Sequence, residues 1–329
     1  MKALVCNELG SLDRLAVEEV AEPVATGSNV VVEVAAAAVN YVDSLMVLGR
    51  YQLKPPTPFT PGVDIAGTVI AAGPDCTRFA VGDRAHGLAP LGAFAERVAV
   101  PETLLRPTPD GLPSDIAATT GTNCRTAFDA LYSIAKLSPG EDLVILGAAG
   151  AVGSTAIGIG KALGARVIAC ASTPQKRAFC IASGADEVID NSVDSLKDAI
   201  RAACTDGADV VLDLVGGEAS EQALRATGFG GRFIVAGFAS GAIPNVPLNL
   251  VLLKGSSIAG YEIVDFERHC PRDARTNRDR LEELVANGTV KPAITARFSL
   301  DEAPQALAHA SRRDKFGITI LDLADGGSR

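Results

Sequence analysis

The stretch of sequence that decides the fold is Leu143-Val144-Ile145-Leu146-Gly147-Ala148-Ala149-Gly150-Ala151-Val152-Gly153. Its first four residues are apolar, which is typical of a buried parallel strand, and the small residues after them predict a tight turn into a helix from about Ser154 to Leu163. We expect the turn to need Gly147 and Gly150, and Gly153 to let the helix pack closely on the sheet. Because the free N–H groups at a helix start carry partial positive charge, this G-x-x-G-x-x-G turn predicts a pyrophosphate site.

The next strand indicates which ligand the turn would bind, since glycine-rich turns also occur without one. A strand predicted at residues 166–171 completes a strand–helix–strand unit of the dinucleotide-binding kind. An enzyme that prefers NAD usually carries an acid at the end of this strand, whereas this chain has Ser172, followed by Lys176 and Arg177. Ser172 is suited to donate a hydrogen bond to a ribose 2′-phosphate, and Lys176 to neutralise it. NADPH is therefore the predicted cofactor, against the alternative that the two basic residues form an ordinary solvated helix face.

Composition excludes several classes of function. The formal net charge of −9 argues against a nucleic-acid partner, and no apolar run is long enough to cross a bilayer. The chain begins directly with a predicted strand and no leader pattern, so we expect a cytoplasmic protein. Seven cysteines are dispersed without a C-x-x-C pair, and three histidines lack ligand spacing, which predicts reduced thiols and no metal site.

The length of 329 residues and two changes of texture predict two domains. Residues 1–120 alternate short β-rich runs with Gly and Pro turns, and residues 121–264 alternate strands with helices, as a doubly wound parallel sheet does. Residues 265–329 are expected to return to the first domain, with a tail at 324–329. The predicted strands of the second domain are 143–147, 166–171, 187–190, 209–214, 231–237 and 257–261, and its helices are 152–163, 174–183, 195–204 and 219–226. Later helices are predicted at 277–286 and 301–312, and later strands at 294–298 and 318–323.

A set of short motifs, in a fixed order and spacing, carries a family resemblance. They are Asn40-Tyr41-Val42-Asp43, Gly49-Arg50-Tyr51, Pro61-Gly62-Val63-Asp64-Ile65-Ala66-Gly67, Val81-Gly82-Asp83-Arg84, Gly92-Ala93-Phe94-Ala95-Glu96, the turn 147–153, Asp213-Leu214-Val215-Gly216-Gly217 and Gly237-Phe238-Ala239-Ser240-Gly241. Over essentially its whole length, the chain resembles the zinc-independent quinone oxidoreductase branch of the medium-chain dehydrogenase/reductase superfamily. The resemblance implies an α/β protein with a GroES-like catalytic domain, a Rossmann NADPH-binding domain and a cleft between them.

The resemblance also implies that the metal is absent. Zinc-dependent relatives carry their catalytic ligands where this chain has Val39-Asn40 and Pro61-Gly62-Val63-Asp64, and residues 84–110 lack the cysteines of a structural zinc loop. Without zinc to polarise a carbonyl, the expected acceptor is one that is already electron-poor.

The same resemblance supplies the candidate site residues. Asn40 would lie near the nicotinamide, Tyr51 would donate a proton, and Asp43 would complete the catalytic set. The alternatives are that Tyr51 caps its own turn, that Asp43 caps a helix, and that Thr126 bonds its own backbone. The substrate would contact Tyr41 and Tyr51, and the cofactor would contact Asn40, Thr126, Gly150, Ala151, Val152, Gly153, Ser172, Lys176, Val215, Phe238 and Ala239.

Two classes of function follow from these features. The first is an NADPH-dependent oxidoreductase that reduces a quinone or an α,β-unsaturated carbonyl, with acryloyl-CoA or another enoyl thioester as the alternative acceptor. The second is a non-catalytic NADPH-binding protein, either a sensor or an RNA-binding protein. A homodimer is expected through the outer strands of the Rossmann sheet, beside the apolar run 248–253, although burial within one chain would also explain that run.

Overall fold

The computed structural model describes residues 1–192 and 194–323. The tail predicted at 324–329 lies outside the described residues. The strands are β1 Lys2–Cys6, β2 Leu15–Glu19, β3 Asn29–Val39, β4 Asp64–Ala72, β5 Arg84–Leu88, β6 Arg97–Pro101, β7 Leu105–Pro107, β8 Asp142–Leu146, β9 Arg166–Ala171, β10 Glu187–Asp190, β11 Ala208–Asp213, β12 Thr227–Val235, β13 Ser257–Gly260, β14 Ile294–Ser299 and β15 Ile318–Asp322. The α-helices are α1 Tyr41–Val47, α2 Ser114–Ala118, α3 Arg125–Phe128, α4 Ala151–Ala162, α5 Pro174–Ala182, α6 Leu196–Ala203, α7 Glu218–Ala226, α8 Asn249–Lys254, α9 Ile263–His269, α10 Pro271–Ala286 and α11 Ala303–Ser311.

The chain folds as two compact units. The first is Met1–Thr122 together with the chain from Ile294 onward, and the second is Asn123–Ala293. The first boundary lies within two residues of the predicted one, but the return to the first unit comes at residue 294 instead of 265. The reason is a buried polar contact in the second unit. The carboxylate of Asp129 accepts hydrogen bonds from the Tyr261 hydroxyl (2.8 Å) and from the Asn277 side-chain amide of α10 (2.7 Å).

The second unit contains the predicted doubly wound sheet. Its described strands run in the order β10-β9-β8-β11-β12-β13, and every neighbouring pair is parallel. The strand order reverses between β8 and β11, so their carboxyl ends meet, with Leu146 paired to Asp213. In open sheets of this type, ligands bind at the carboxyl ends of the strands that flank such a reversal. The predicted fold class of this unit is confirmed.

Apolar composition explains why the strands of this unit form where they do. Leu143, Val144 and Ile145 of β8 are completely buried, as the central strand of a parallel sheet requires. The bounds of β9 and β10 are those predicted. By contrast, α10 begins at Pro271, six residues before the predicted start, because proline is favoured in the first turn of a helix.

The first unit is β-rich and GroES-like. Its main sheet has the order β14-β15-β3-β4-β5-β7, with β6 also paired to β3, while β1 and β2 form a separate antiparallel pair. β3 is antiparallel to both β4 and β15, so a strand from late in the chain lies beside one from its start. The apolar residues of β3 are buried on both faces of the sheet, apart from the half-buried Ala35, whereas Glu33 is exposed.

The glycines of the turn after β8 have different roles. Gly147 has a φ of +74°, a left-handed conformation that favours glycine. Gly150 has a φ of −72° and ordinary space around it, so the expectation that the turn needs glycine there is wrong; it is the N-cap of α4. A Cβ at Gly153 would lie 2.3 Å from the Gly147 carbonyl oxygen, which confirms that Gly153 permits close packing of the helix.

We predict that Gly153→Ala lowers the free energy of unfolding by about 1–3 kcal/mol, because the added methyl group forces α4 away from the end of β8. The matched control is Gly158→Ala in the same helix, where the added Cβ meets nothing closer than 3.9 Å. That control should be neutral or stabilising by up to about 1 kcal/mol. Urea unfolding of both variants is the measurement, and equal effects would contradict the packing role of Gly153.

Candidate functional site

In the second unit, the first turn of α4 lies at the carboxyl end of β8. Gly150 is the N-cap, and the N–H groups of Ala151, Val152 and Gly153 come before the first residue that has an acceptor within the helix. The N–H of Ala148 donates to the Cys170 carbonyl at 3.2 Å, which joins the turn to the end of β9. This helix start is therefore able to bind an anionic group.

The loop after β11 is held beside this turn by Asp213. Its buried carboxylate accepts hydrogen bonds from the N–H groups of Val215 (2.8 Å) and Gly216 (2.9 Å) and from the Ser220 hydroxyl (2.5 Å). The Cγ2 of Val215 lies 2.9 Å from the position that a Cβ on Gly147 would take. The positioning role of Asp213 was missed from the sequence, although an acid followed by Gly216-Gly217 and Ser220 was a usable signal.

The loop after β12 completes this edge of the sheet. The N–H of Ala239 donates to the Leu214 carbonyl at 3.1 Å, and that of Ser240 to the Val215 carbonyl at 2.9 Å. Phe238 packs beside Gly216 and is 41% exposed. The structure therefore brings together the predicted cofactor residues from three strand ends: Gly150, Ala151, Val152, Gly153, Val215, Phe238 and Ala239.

Ser172 and Lys176, the two residues predicted to meet a 2′-phosphate, both follow the end of β9. Ser172 is exposed, and the Thr173 hydroxyl caps α5 by accepting the Lys176 N–H at 3.2 Å. Arg177 is held differently, because its guanidinium pairs with Asp190 at 2.8 Å and donates to the Ala171 carbonyl. Arg177 is thus engaged within the fold, and the phosphate contacts of Ser172 and Lys176 stay predictions.

Thr126 belongs to α3 and is half-buried. Two π-helical segments, Thr120–Cys124 and Asp129–Ile134, flank this short helix. Such segments are frequent at functional sites. The cofactor contact of Thr126 stays a prediction.

In the first unit, Asn40 stands at the centre of a buried acidic cluster. It is the N-cap of α1, and its side-chain amide donates to Asp64 Oδ2 at 2.6 Å. Its backbone N–H donates to Asp43 Oδ2 at 2.7 Å. Both carboxyl groups are completely buried. Asp64 was not among the predicted site residues, although the resemblance places both Asp64 and Asn40 where zinc-dependent relatives carry catalytic ligands.

The geometry of Asp43 matches the helix-capping alternative, since it is the third residue of α1 and bonds back to the N-cap backbone. Its other oxygen, Oδ1, is buried and has no hydrogen-bond partner among the described residues. Burial raises the pKa of Asp43 well above its usual value, and the nearby charge of Asp64 raises it further against the opposing hydrogen bonds from Asn40. Its burial in the fold therefore favours the protonated form of Asp43.

The two candidate substrate residues lie near opposite ends of α1. Tyr41 is its first residue and is 39% exposed, and Tyr51 is half-buried in the loop that follows its end at Val47. The roles of Tyr41 and Tyr51 toward a substrate stay predictions.

Within residues 1–192 and 194–323, no group of three or more His, Cys, Asp or Glu side chains is arranged to hold a metal ion. In the same ranges, no helix combines the length and apolar character needed to cross a membrane.

We predict that Asp43→Asn changes how stability depends on pH. Because the pKa of Asp43 is raised in the folded state, its contribution is complete below the unfolded pKa of about 4 and is lost as pH rises toward the folded pKa. A permanently neutral amide escapes this loss, so the variant should gain about 1.4 kcal/mol relative to the wild type for each pH unit in that window. Urea unfolding at pH 5 and pH 7 is the measurement.

The matched control is Glu302→Gln, because Glu302 is also the third residue of a capping box but is exposed. The pKa of Glu302 is lowered by hydrogen bonds from the Ser299 backbone and side chain, so its window lies below the unfolded pKa of about 4.3, where the control should lose stability relative to the wild type as pH rises. Between pH 5 and pH 7 the control should therefore differ from the wild type by a constant amount, and the same constant difference in Asp43→Asn would contradict the raised pKa of Asp43.

Comparisons with known proteins agree with this architecture. Residues 26–110 match the alcohol dehydrogenase GroES-like domain, and residues 151–276 match the zinc-binding dehydrogenase domain. A quinone oxidoreductase-like protein 2 homolog from Nematostella vectensis is 34% identical over 98% of this chain and 88% of its own length.

Two solved structures extend the likeness to three dimensions. A quinone oxidoreductase from Pseudomonas syringae has 30% identity and a TM-score of 0.89, with 98% of this chain and 99% of that chain covered. A mycobacterial protein solved in complex with NADPH has 26% identity and a TM-score of 0.90, with 98% and 100% covered. The chain therefore belongs to the quinone oxidoreductase family, a group of oxidoreductases within the medium-chain dehydrogenase/reductase superfamily.

Proposed function

We propose that this protein is an NADPH-dependent oxidoreductase that delivers a hydride to a quinone or an α,β-unsaturated carbonyl without a metal ion. The observation that carries the proposal lies where the strand order of the Rossmann sheet reverses. The start of α4, Val215 and the pair Ser172–Lys176 follow the carboxyl ends of β8, β11 and β9, respectively. The NADPH complex of the mycobacterial neighbour and the quinone oxidoreductases among the relatives support it.

The residues of the second unit fit this cofactor. The closely packed start of α4, where a Cβ on Gly153 would collide with the chain, lets backbone N–H groups approach a pyrophosphate. Ser172 and Lys176 would receive the 2′-phosphate, while Val215, Phe238 and Ala239 would bound the site nearer the nicotinamide. The missing acid at the end of β9 removes the group that would repel that phosphate.

The residues of the first unit would act on the acceptor and on the nicotinamide. NADPH supplies the hydride when bound. Tyr51 would donate a hydrogen bond to the acceptor oxygen as that oxygen gains negative charge, and would provide the proton for carbon in an unsaturated carbonyl. Asn40 would contact the nicotinamide, with its amide held by Asp64. Asp43, bonded to the start of α1, would act on this site through the placement of Asn40.

Metal independence and location are further parts of the proposal. The acids of the first unit's site are engaged with N–H groups of Asn40 and Thr122, which leaves no described set of three ligands for zinc. No disulfide joins any of the seven cysteines, all of which the structure describes, and this favours a reducing compartment and hence the cytoplasm.

A titration followed by turnover separates the candidate functions. NADPH fluorescence measures binding, and 1,2-naphthoquinone or acryloyl-CoA is then added with and without a chelator. Oxidation of NADPH by the quinone, unaffected by the chelator, is the expected result. Turnover of acryloyl-CoA alone would favour the enoyl-thioester alternative. Binding without any turnover would favour the sensor class, and loss of activity on chelation would overturn the metal-free proposal.

We predict that Lys176→Ala weakens NADPH binding by about 1.5–3 kcal/mol, the scale of a charge-assisted hydrogen bond, because Lys176 is proposed to meet the 2′-phosphate. NADH lacks that phosphate and serves as the internal control, so its affinity should hardly change. Fluorescence titration gives both dissociation constants. Equal losses for NADPH and NADH would contradict this assignment.

We predict that Tyr51→Phe lowers kcat and kcat/KM together by roughly 10–1000-fold for an unsaturated carbonyl. The loss should be smaller for a quinone, whose reduced oxygens take protons from water, and NADPH affinity should hold. Asn40→Ala should instead slow both acceptors alike, because it disturbs the nicotinamide. Steady-state kinetics with both acceptors decide the matter; intact rates in Tyr51→Phe would leave Tyr51 as a turn-capping residue.

A homodimer through the second unit is the proposed assembly. β13 is the last described strand on its side of the sheet. Beside it, Phe229 is 91% exposed and Leu252 is 82% exposed, as are Leu248 and Leu253 to a similar degree. Within the apolar run 248–253, only Leu250 is buried in its own chain. Exposed apolar surface next to a strand edge favours pairing with a symmetry mate.

We predict a dimeric mass by light scattering at micromolar concentration, and a shift toward monomer for Leu252→Asp because it places a charge in the apolar surface. Val24→Asp is the control, since Val24 is similarly exposed but belongs to the first unit. A monomeric wild type would refute the assembly.

A further inference from the structure

Asp64 is a completely buried acid whose two oxygens bind two separate parts of the first unit. Oδ2 accepts a hydrogen bond from the Asn40 side-chain amide at 2.6 Å, and Oδ1 accepts one from the Thr122 backbone N–H at 2.8 Å. Asp64 is the first residue of β4, Asn40 begins α1, and Thr122 is the last residue of the first unit before the chain enters the second. One carboxylate thus joins a candidate site residue to the end of its unit.

The absence of a side chain at Gly121 leaves the space that this carboxylate occupies. A Cβ on Gly121 would lie 1.9 Å from Asp64 Oδ1 and 2.8 Å from Leu88 Cδ2, so any other residue at 121 would displace the carboxylate. This close approach is what brings the Thr122 N–H within hydrogen-bond distance. The carboxylate of Asp64 is therefore held by Asn40 on one side and by Gly121 and Thr122 on the other.

We infer that Asp64 is a positioning residue that sets the orientation of the Asn40 amide for hydride transfer, an inference that rests on the proposed function. The Nδ2 of Asn40 is directed to Asp64 and, at 3.4 Å, toward the Ala38 carbonyl. Since an amide group is planar, fixing its nitrogen also fixes the direction of its oxygen. Asp64 holds the side chain of Asn40, whereas Asp43 holds its backbone N–H, so the two acids have separable effects.

Only a carboxylate meets both demands at position 64. It offers an acceptor oxygen to each partner, whereas an asparagine of the same shape has one acceptor oxygen and one donor nitrogen. Asp64→Asn must therefore either lose the bond to the Thr122 N–H or turn its own NH₂ toward that of Asn40. In the first case residue 64 is no longer held at Thr122, and in the second the Asn40 amide loses its acceptor, so each weakens the restraint on that amide.

The experiment compares the wild type with Asp64→Asn, the exchange variant Asn40→Asp/Asp64→Asn, and Glu102→Gln as control. Glu102 is another buried acid of the first unit that accepts backbone N–H bonds, from Thr77 and Arg78, away from Asn40. The readouts are Tm, the Kd for NADPH, kcat with 1,2-naphthoquinone, and the isotope effect with NADPH deuterated at C4.

For Asp64→Asn we expect a lower Tm, a kcat reduced by about 10–100-fold and a larger isotope effect, with the Kd for NADPH changed less than about threefold. Glu102→Gln should lower Tm without changing kcat or the isotope effect. The exchange variant restores one donor and one acceptor between positions 40 and 64, and the amide oxygen that it carries at position 64 can still accept from Thr122. It should therefore regain Tm but not kcat, because the amide at position 40 has been replaced.

Three results would overturn the inference. They are an unchanged kcat in Asp64→Asn, a kcat loss of equal size in Glu102→Gln, and recovery of kcat along with Tm in the exchange variant, which would make the pair purely structural. If Asp64→Asn does not fold, Gly121→Ala displaces the same carboxylate and must slow hydride transfer by about tenfold or more. A wild type that binds NADPH but oxidises none of it would instead refute the proposed function, and Tm and Kd still report on each variant.

Discussion

The shape of the candidate cofactor site in the second unit depends on how closely α4 approaches the end of β8. The helix comes so near the Gly147 carbonyl that a methyl group at Gly153 has no room. This approach directs the first N–H groups of the helix over the turn, and the left-handed Gly147 leaves space for Val215 from the neighbouring loop. The buried carboxylate of Asp213 then holds that loop by three hydrogen bonds. Backbone packing, more than any side chain, therefore shapes the surface on which a dinucleotide would lie.

In the first unit, two acids, Asp43 and Asp64, are buried next to the side-chain amide of Asn40. A buried ionised carboxylate is costly unless hydrogen bonds stabilise it. Asp64 has donors on both oxygens, whereas Asp43 has a donor on one oxygen only, and burial raises the pKa of Asp43. The raised pKa favours the neutral form of Asp43, which reduces the repulsion that two adjacent carboxylates beside Asn40 would produce.

The parts of the structure that the sequence predicted are those governed by local patterns. β9 and β10 were predicted to the residue because each contains a short apolar run that lies between two turns. Glycine spacing could not separate the left-handed Gly147 from Gly150, since a pattern of letters carries no dihedral angle. The contact of Asp64 with Thr122 spans 58 residues and uses a backbone N–H, which leaves no trace in side-chain composition. The family resemblance supplied the remaining candidate residues, and their roles rest on proposals.

The pairing of β3 with β15 has a consequence for how the protein forms during synthesis. The second unit is one continuous segment, so all its strands have been translated before the chain returns at Ile294. The sheet of the first unit, by contrast, is complete only after Thr319–Asp322 has been translated and has paired with the edge of β3. Domains fold as units during translation, and unpaired strand edges are prone to association. The second unit can thus be complete while the sheet of the first still lacks β15, so during that interval the edge of β3 at residues 36–39 is unpaired and open to association.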